Sequence, residues 1–137
     1  DNISKTFKQA ADKNGIKDYD NELVNKLIES SAPVIKKLKN YFNRPRPKVI
    51  AKKMNIKMED YEMESMKTPS YPSGHSTQGV LIGLVLSSMY PKGSADFKKA
   101  ARDISYSRNV ARAHYKSDSK MGEKLGKEMY KHIKNKI

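Results

Sequence analysis

Residues 73–90, SGHSTQGVLIGLVLSSMY, decide the fold. Ser73 is a good helix cap, and the apolar residues after it lie nearly all round the helical projection rather than on one face. A helix of this kind is buried on every side, so we expect it at the centre of the molecule. Its apolar part, residues 79–90, contains two serines and is much shorter than the roughly 20 residues needed to cross a bilayer. The sequence therefore predicts a soluble protein with no membrane span.

Helical spacing of apolar residues extends to the N-terminal side of this segment. It predicts a first short helix that stops near Gly15 and a second that is capped by Asp18 or Asp20. Pro33 either kinks the second helix or starts a new one, and the prolines at 45 and 47 end it. The apolar residues that set these two helices are Ile3, Phe7 and Ala10 in the first, and Leu23, Leu27, Val34, Ile35, Leu38 and Phe42 in the second.

Two further helices are predicted after the central segment. Pro91 and Gly93 form a turn, Ser94 caps the next helix, and that helix runs through Arg108. The last helix carries Met121, Leu125, Met129 and Ile133 at four-residue intervals, and glycines 122 and 126 permit a close neighbour. Because strand-type alternation is absent, the sequence predicts an all-α fold. We expect a compact bundle of about five to seven helices in a single domain, residues 1–137.

The composition excludes several kinds of active site and indicates the charge of the partner. The chain has 137 residues and no Cys, which excludes disulfides, thiolate metal sites and a cysteine nucleophile. A formal net charge of +13 favours polyanionic partners, although lysines on helices usually form a solvated face. Residues 48–71 show no sustained period and carry an acidic cluster at 59–64. This long connection either covers a site or forms a mobile surface excursion, and its role stays open.

Arg108 is the first candidate functional residue. It continues the apolar stripe of Phe97, Ala101 and Ile104, so it is predicted to point inward. A buried guanidinium cannot lose its proton and must meet an anion, which is either a carboxylate of the protein or a bound ligand. Both alternatives are open from this residue alone.

His114 and Asp118 form the second candidate pair. At a separation of four residues the carboxylate can accept from the ring Nδ1–H, which leaves Nε2 available as a nucleophile or base. A surface pair and a helix cap are the alternatives. His114 follows Arg108 by six residues, so both face one pocket only if the helix ends or bends between them.

Two further segments can bind an anion. Pro72-Ser73-Gly74-His75 opens the central helix, where N–H groups and a positive dipole end favour phosphate and His75 can donate a proton to a leaving oxygen. The alternative is a helix cap with an incidental His. The segment from Lys39 to Arg46 is predicted to form a rigid basic corner, which either binds an anion or is a solvated turn.

Together, three pieces of the chain resemble the signature of the type-2 phosphatidic acid phosphatase and vanadium haloperoxidase superfamily. The order and separations of the pieces agree with the family as well. The first piece, Lys39-x6-Arg46-Pro47, has a shifted alternative, Lys37-x6-Arg44-Pro45, that also fits. Soluble bacterial acid phosphatases of the family commonly read Arg-x-Arg-Pro there with the second Arg in the site, which favours Lys39 and Arg46. The pieces are Lys39-x6-Arg46-Pro47, Pro72-Ser73-Gly74-His75 and Ser107-Arg108-x5-His114-x3-Asp118.

The resemblance implies an acid phosphatase-like helical fold and a metal-independent phosphatase that needs no cofactor. It implies that His114 attacks phosphorus and forms a phosphohistidine, that Asp118 orients His114, and that His75 acts as general acid and then general base. Soluble phosphomonoesters are the expected substrates, and vanadate or phosphate is the expected site ligand. The residues implied to bind phosphate are Lys39, Arg46, Ser73, Gly74 and Arg108.

Two other functions remain open at this stage. A vanadium-dependent haloperoxidase would use the same pocket with vanadate held permanently. A non-catalytic basic protein would bind polyanions through its lysines, whereas a phosphatase does not require nucleic acid. The oligomeric state and the compartment, whether periplasmic, secreted or cytoplasmic, are left open by the sequence.

Overall fold

The computed structural model describes residues 3–42, 72–110 and 115–134. These residues form five α-helices and a 3₁₀ turn at Pro91–Gly93, and no strand occurs among them. The all-α prediction is confirmed. The predicted helix end at residues 45–47 and the connection 48–71 lie outside the described ranges. The helices are α1 (Ile3–Lys13), α2 (Asn21–Phe42), α3 (Gly74–Met89), α4 (Ser94–Val110) and α5 (Lys116–Ile133).

Helix α3 is the centre of the bundle, as the sequence predicts. It packs against each of the other four helices. Most of its apolar side chains are buried, as expected for a helix with no wide polar face. The most deeply buried of them, none more than 2% exposed, are Leu81, Ile82, Val85 and Leu86.

Helices α4 and α5 lie along α3 in opposite directions. Helix α4 returns towards the start of α3, so that the Ser105 hydroxyl donates to the Ser76 hydroxyl at 2.6 Å. Helix α5 runs parallel to α3, since Gly122 lies beside Ser73 and Gly126 beside Thr77. The end of α4 and the start of α5 therefore meet at the N-terminus of α3.

The two glycines of α5 are required by this packing. A Cβ added to Gly122 would lie 2.6 Å from the Ser73 carbonyl oxygen, and one added to Gly126 would lie 2.5 Å from the Thr77 carbonyl oxygen. Both distances are too short for van der Waals contact, so the backbones of α5 and α3 touch directly. The close neighbour predicted for the two glycines of α5 is thus α3. The contacts with α5 hold the first turn of α3 in position.

Gly126→Ala is expected to destabilise the fold by about 1–3 kcal/mol, because the new methyl group must push α5 away from α3. An exposed Gly→Ala change inside a helix would instead stabilise it, by roughly 0.5–1 kcal/mol. Urea unfolding followed by circular dichroism measures the effect, with Lys124→Ala on the exposed side of α5 as the control. A midpoint for Gly126→Ala at or above that of the wild type would contradict this packing.

The far end of the bundle holds an aromatic core. The rings of Phe7 and Tyr90 each lie 6.5 Å from the ring of Phe97, centroid to centroid. The Tyr90 hydroxyl donates to the Asp18 carbonyl oxygen at 2.9 Å and accepts from the Asp20 N–H at 3.0 Å. These contacts fix the α1–α2 connection to the end of α3.

The predicted boundaries around α1 and α2 are largely confirmed. Gly15 has a φ of 64°, which suits a glycine just after a helix end. Of the two predicted caps, Asp20 is the one used, since its Oδ1 accepts from the Leu23 N–H at 3.0 Å. Helix α2 continues through Pro33, so a new helix does not start there. The prediction that Ser94 caps the next helix is wrong: Ser94 is the first residue of α4, with φ and ψ of −50° and −47°, because the 3₁₀ turn runs straight into the helix.

One part of the predicted α2 face is wrong. Val34 is 47% exposed. The buried stripe instead runs through Val24, Leu27, Ser31, Ile35 and Lys39, at helical spacings of three and four. Val34 is offset by about 100° from Ile35 and so faces away from the core. Because this face of α2 is the buried one, the Lys39 side chain points inward.

Candidate active site

The N-terminus of α3 forms the centre of the candidate site. Ser73 is extended, with φ and ψ of −67° and 118°, and its Oγ accepts from the Ser76 N–H at 3.2 Å. Its carbonyl oxygen accepts from the N–H of Thr77 at 3.1 Å and from the Thr77 hydroxyl at 2.8 Å. The cap therefore engages the N–H groups of Ser76 and Thr77 at the positive end of the helix dipole.

Ser73 is completely buried, and its Oγ serves as the helix cap that the sequence left open as an alternative. Acting as an acceptor does not consume its proton, so the hydroxyl can still donate. His75 is the second residue of α3 and is half-buried. It therefore lies at the edge of the same helix start.

Lys39 reaches this helix start from α2. It is 8% exposed, although it carries a charge. A Cβ on Gly74 would lie 3.4 Å from Ile35 Cγ2 and 3.7 Å from Lys39 Cε, which is ordinary van der Waals contact and places the lysine side chain directly beside the start of α3. Of the two lysines that fit the family pattern, Lys37 is exposed and Lys39 is the one next to the α3 N-terminus. Arg44 and Arg46 lie outside the described residues.

Asp118 connects the start of α5 to the N-terminus of α3. Its backbone carbonyl accepts from the Ser73 N–H at 3.0 Å, and its carboxylate Oδ2 accepts from the Tyr115 N–H at 2.8 Å. The side chain thus caps α5, and its complete burial rules out a surface pair. His114, together with its contact to Asp118, lies outside the described residues.

Arg108 lies in the last turn of α4 and is 2% exposed, in agreement with the predicted inward orientation. Its Nε and Nη2 atoms are buried, and burial lowers the pKa of the guanidinium to about 10. The group remains charged at neutral pH, so a dianion nearby would offset part of its desolvation cost. Arg108 is one turn beyond Ser105, which contacts Ser76 near the start of α3.

Sequence reasoning missed two polar contacts that hold the site's framework. Ser105 bonds to Ser76, and the Gln78 side-chain amide donates to the Ile28 carbonyl oxygen and to the Ser31 hydroxyl, both at 3.2 Å. These contacts attach α4 and α2 to the first turns of α3. Neither contact carries an apolar signal in the sequence, because serine and glutamine side chains are polar.

The described ranges contain neither a metal-binding cluster nor a helix suited to a bilayer. Residues 3–42, 72–110 and 115–134 contain no group of three or more His, Asp or Glu arranged to hold a metal ion. Among the same residues, none of the helices combines the length and the apolar character that crossing a bilayer requires.

Comparison with known proteins identifies the family. The model of the PAP2 superfamily matches residues 25–126, which include α3, α4 and most of α2. This chain belongs to the PAP2 superfamily. The resemblance drawn from the three sequence pieces is therefore confirmed at the level of the family.

The similar curated proteins are bacterial acid phosphatases. The non-specific acid phosphatase of Salmonella typhimurium is 35% identical over 88 residues, which cover 64% of this chain and 35% of that protein. The acid phosphatase of Zymomonas mobilis is 32% identical over 100 residues, which cover 73% of this chain and 38% of that protein. The chain thus aligns with little more than a third of the length of these relatives. No solved structure matches it.

Proposed function

We propose that this PAP2 chain, as a single domain, is a metal-independent phosphatase that acts on soluble phosphomonoesters. His114 Nε2 attacks phosphorus, an N–P bond forms, and the ester P–O bond breaks. His75 donates a proton to the departing alkoxide. It then removes a proton from a water molecule, which attacks the phosphohistidine and releases inorganic phosphate and free His114.

The cationic groups hold the phosphoryl oxygens in this proposal. Lys39, Arg46 and Arg108 supply positive charge, and the Gly74 N–H and Ser73 hydroxyl supply hydrogen bonds at the helix N-terminus. Asp118 orients His114 through the ring Nδ1–H. Three cations replace the charge that metal ions provide in other phosphoryl-transfer enzymes.

The convergence at the start of α3 is the observation that carries the proposal. Lys39 from α2, the cap residues Ser73 and Gly74, and Asp118 from α5 come from three distant parts of the chain and meet at one helix N-terminus. Lys39 and Arg108 are both buried, so a bound phosphate would offset part of the desolvation cost of their charges. The acid phosphatase names of the relatives support the same chemistry.

Hydrolysis of p-nitrophenyl phosphate in the presence of EDTA tests the proposal. We expect phosphate release to be unaffected by the chelator and to be inhibited by orthovanadate, because a trigonal-bipyramidal vanadate on His114 would resemble the transition state. Loss of activity in EDTA that added divalent metal restores would contradict a metal-independent mechanism. Full activity with saturating vanadate would contradict the proposed pocket.

A further inference from the structure

One face of α5 carries only lysines. At 100° per residue, every position of Lys116–Ile133 and Lys134 that falls within one arc of about 80° is a lysine. This arc is on the side opposite to Gly122 and Gly126, which pack on α3. We call it the lysine face. Its six members, all exposed, are Lys116, Lys120, Lys124, Lys127, Lys131 and Lys134.

The positive charge of this face is almost unneutralised. Within the described part of the chain, Lys131 is the one member that pairs with a carboxylate, that of Glu128 at 3.2 Å. The six positions span about 27 Å along the helix axis. Their ammonium groups can therefore reach one flat surface at the same time.

An open groove borders the lysine face. It lies between α4 and α5 over the middle of α3 and has a volume of about 420 Å³, within the usual range for ligand sites. Gly83 lies in the groove and lets α4 pack closely on α3, because a Cβ there would lie 3.3 Å from the Phe97 carbonyl oxygen. Three cations, one carboxylate and an apolar floor line it: Lys98, Arg102, Lys127, Glu123, Val80, Gly83, Leu84 and Ala101.

We propose that the lysine face and this groove dock the protein on an anionic phospholipid bilayer, with one phosphate headgroup bound in the groove. The cations attract the phosphate, while Val80 and Leu84 contact the glycerol and the first methylenes of the lipid. A nucleic acid fits less well, since it offers no alkyl chain for the floor and the groove lining offers no aromatic ring for a base.

The groove is separate from the candidate active site along α3. The groove begins at Val80, six residues beyond Gly74, or about 9 Å along the α3 axis. All residues of the arc are charged and none is apolar, so the attachment is electrostatic and reversible by salt rather than an insertion. The proposal does not depend on the phosphatase activity.

Co-sedimentation of the whole chain with vesicles tests docking. We expect binding to vesicles containing phosphatidylglycerol at 50 mM salt, loss of binding at 500 mM salt, and no binding to pure phosphatidylcholine vesicles. The variant Lys120→Gln/Lys124→Gln/Lys127→Gln is expected to weaken binding by roughly 10²-fold, from about 1 kcal/mol per lysine near such a surface. Lys98→Gln/Arg102→Gln tests the groove separately and is also expected to weaken binding.

A charge-matched control separates the surface from the net charge. Lys17→Gln/Lys26→Gln/Lys92→Gln removes the same three charges from exposed positions outside α5 and should change vesicle binding less than threefold. Equal losses in the two triple variants would overturn the proposal, as would an absence of binding to anionic vesicles at low salt. Tighter binding of duplex DNA than of anionic vesicles, lost in the α5 variant, would assign the surface to nucleic acid instead. Circular dichroism verifies that each variant is folded.

Discussion

His114→Ala is expected to lower kcat for p-nitrophenyl phosphate by roughly 10⁴-fold or more, because the proposed mechanism loses its nucleophile. His132→Ala is the matched control, since His132 is an exposed histidine of α5 and is expected to leave kcat unchanged. Steady-state kinetics of the two variants under the same conditions measure the difference.

A second readout distinguishes a nucleophile from a residue that merely supports the fold. Rapid alkaline quenching of the wild type during turnover, followed by mass spectrometry, is expected to find one phosphoryl group on His114. A His114→Ala protein that is folded and keeps its activity would refute the histidine mechanism. A phosphoryl group found on another residue would reassign the nucleophile.

Lys39→Ala is expected to lower kcat/KM by roughly 10²–10³-fold, the usual cost of removing one donor that stabilises a developing charge. Lys37→Ala, two residues away on the same helix, is expected to change kcat/KM by less than twofold. The contrast follows from position, because Lys39 lies against Gly74 and is buried whereas Lys37 is exposed.

The Lys37 variant also tests which register of the basic corner binds phosphate. If Lys37→Ala were the more damaging change, the shifted pattern with Arg44 would be correct and Lys39 would be a structural residue. Lys39→Arg adds a further check. A planar guanidinium is not equivalent to an ammonium in a tight site, so we expect at most partial rescue.

The sequence predicted those parts of the fold that depend on local patterns. The all-round apolar character of residues 79–86 placed α3 at the centre, and Gly15 and Ser73 marked a helix end and a helix start. These features follow from the intrinsic preferences of the chain, since helix periodicity and capping act within a few residues. The inward orientation of Arg108 was predictable for the same reason.

The face of α2 was harder to predict. Both Val34 and Ile35 are apolar, and periodicity alone does not decide which of them is buried. Burial of Ile35, with Ser31 and Lys39 on the same stripe, depends on how α3 packs against α2 through Gln78 and Gly74. A buried serine and a buried lysine carry no apolar signal, so the stripe was not visible as a pattern.

The sequence by itself determined the fold class, the central helix and the three motif pieces that place this chain in the PAP2 superfamily. Only the tertiary structure decided that Lys39 rather than Lys37 faces Gly74, that Asp118 caps α5 beside Ser73, and that α5 turns its lysines outward. The physical reason is the distance along the chain over which the deciding interactions act. Periodicity and capping are set by neighbouring residues, whereas the approach of α2 and α5 to α3 depends on contacts between residues some 35 to 50 positions apart in the chain.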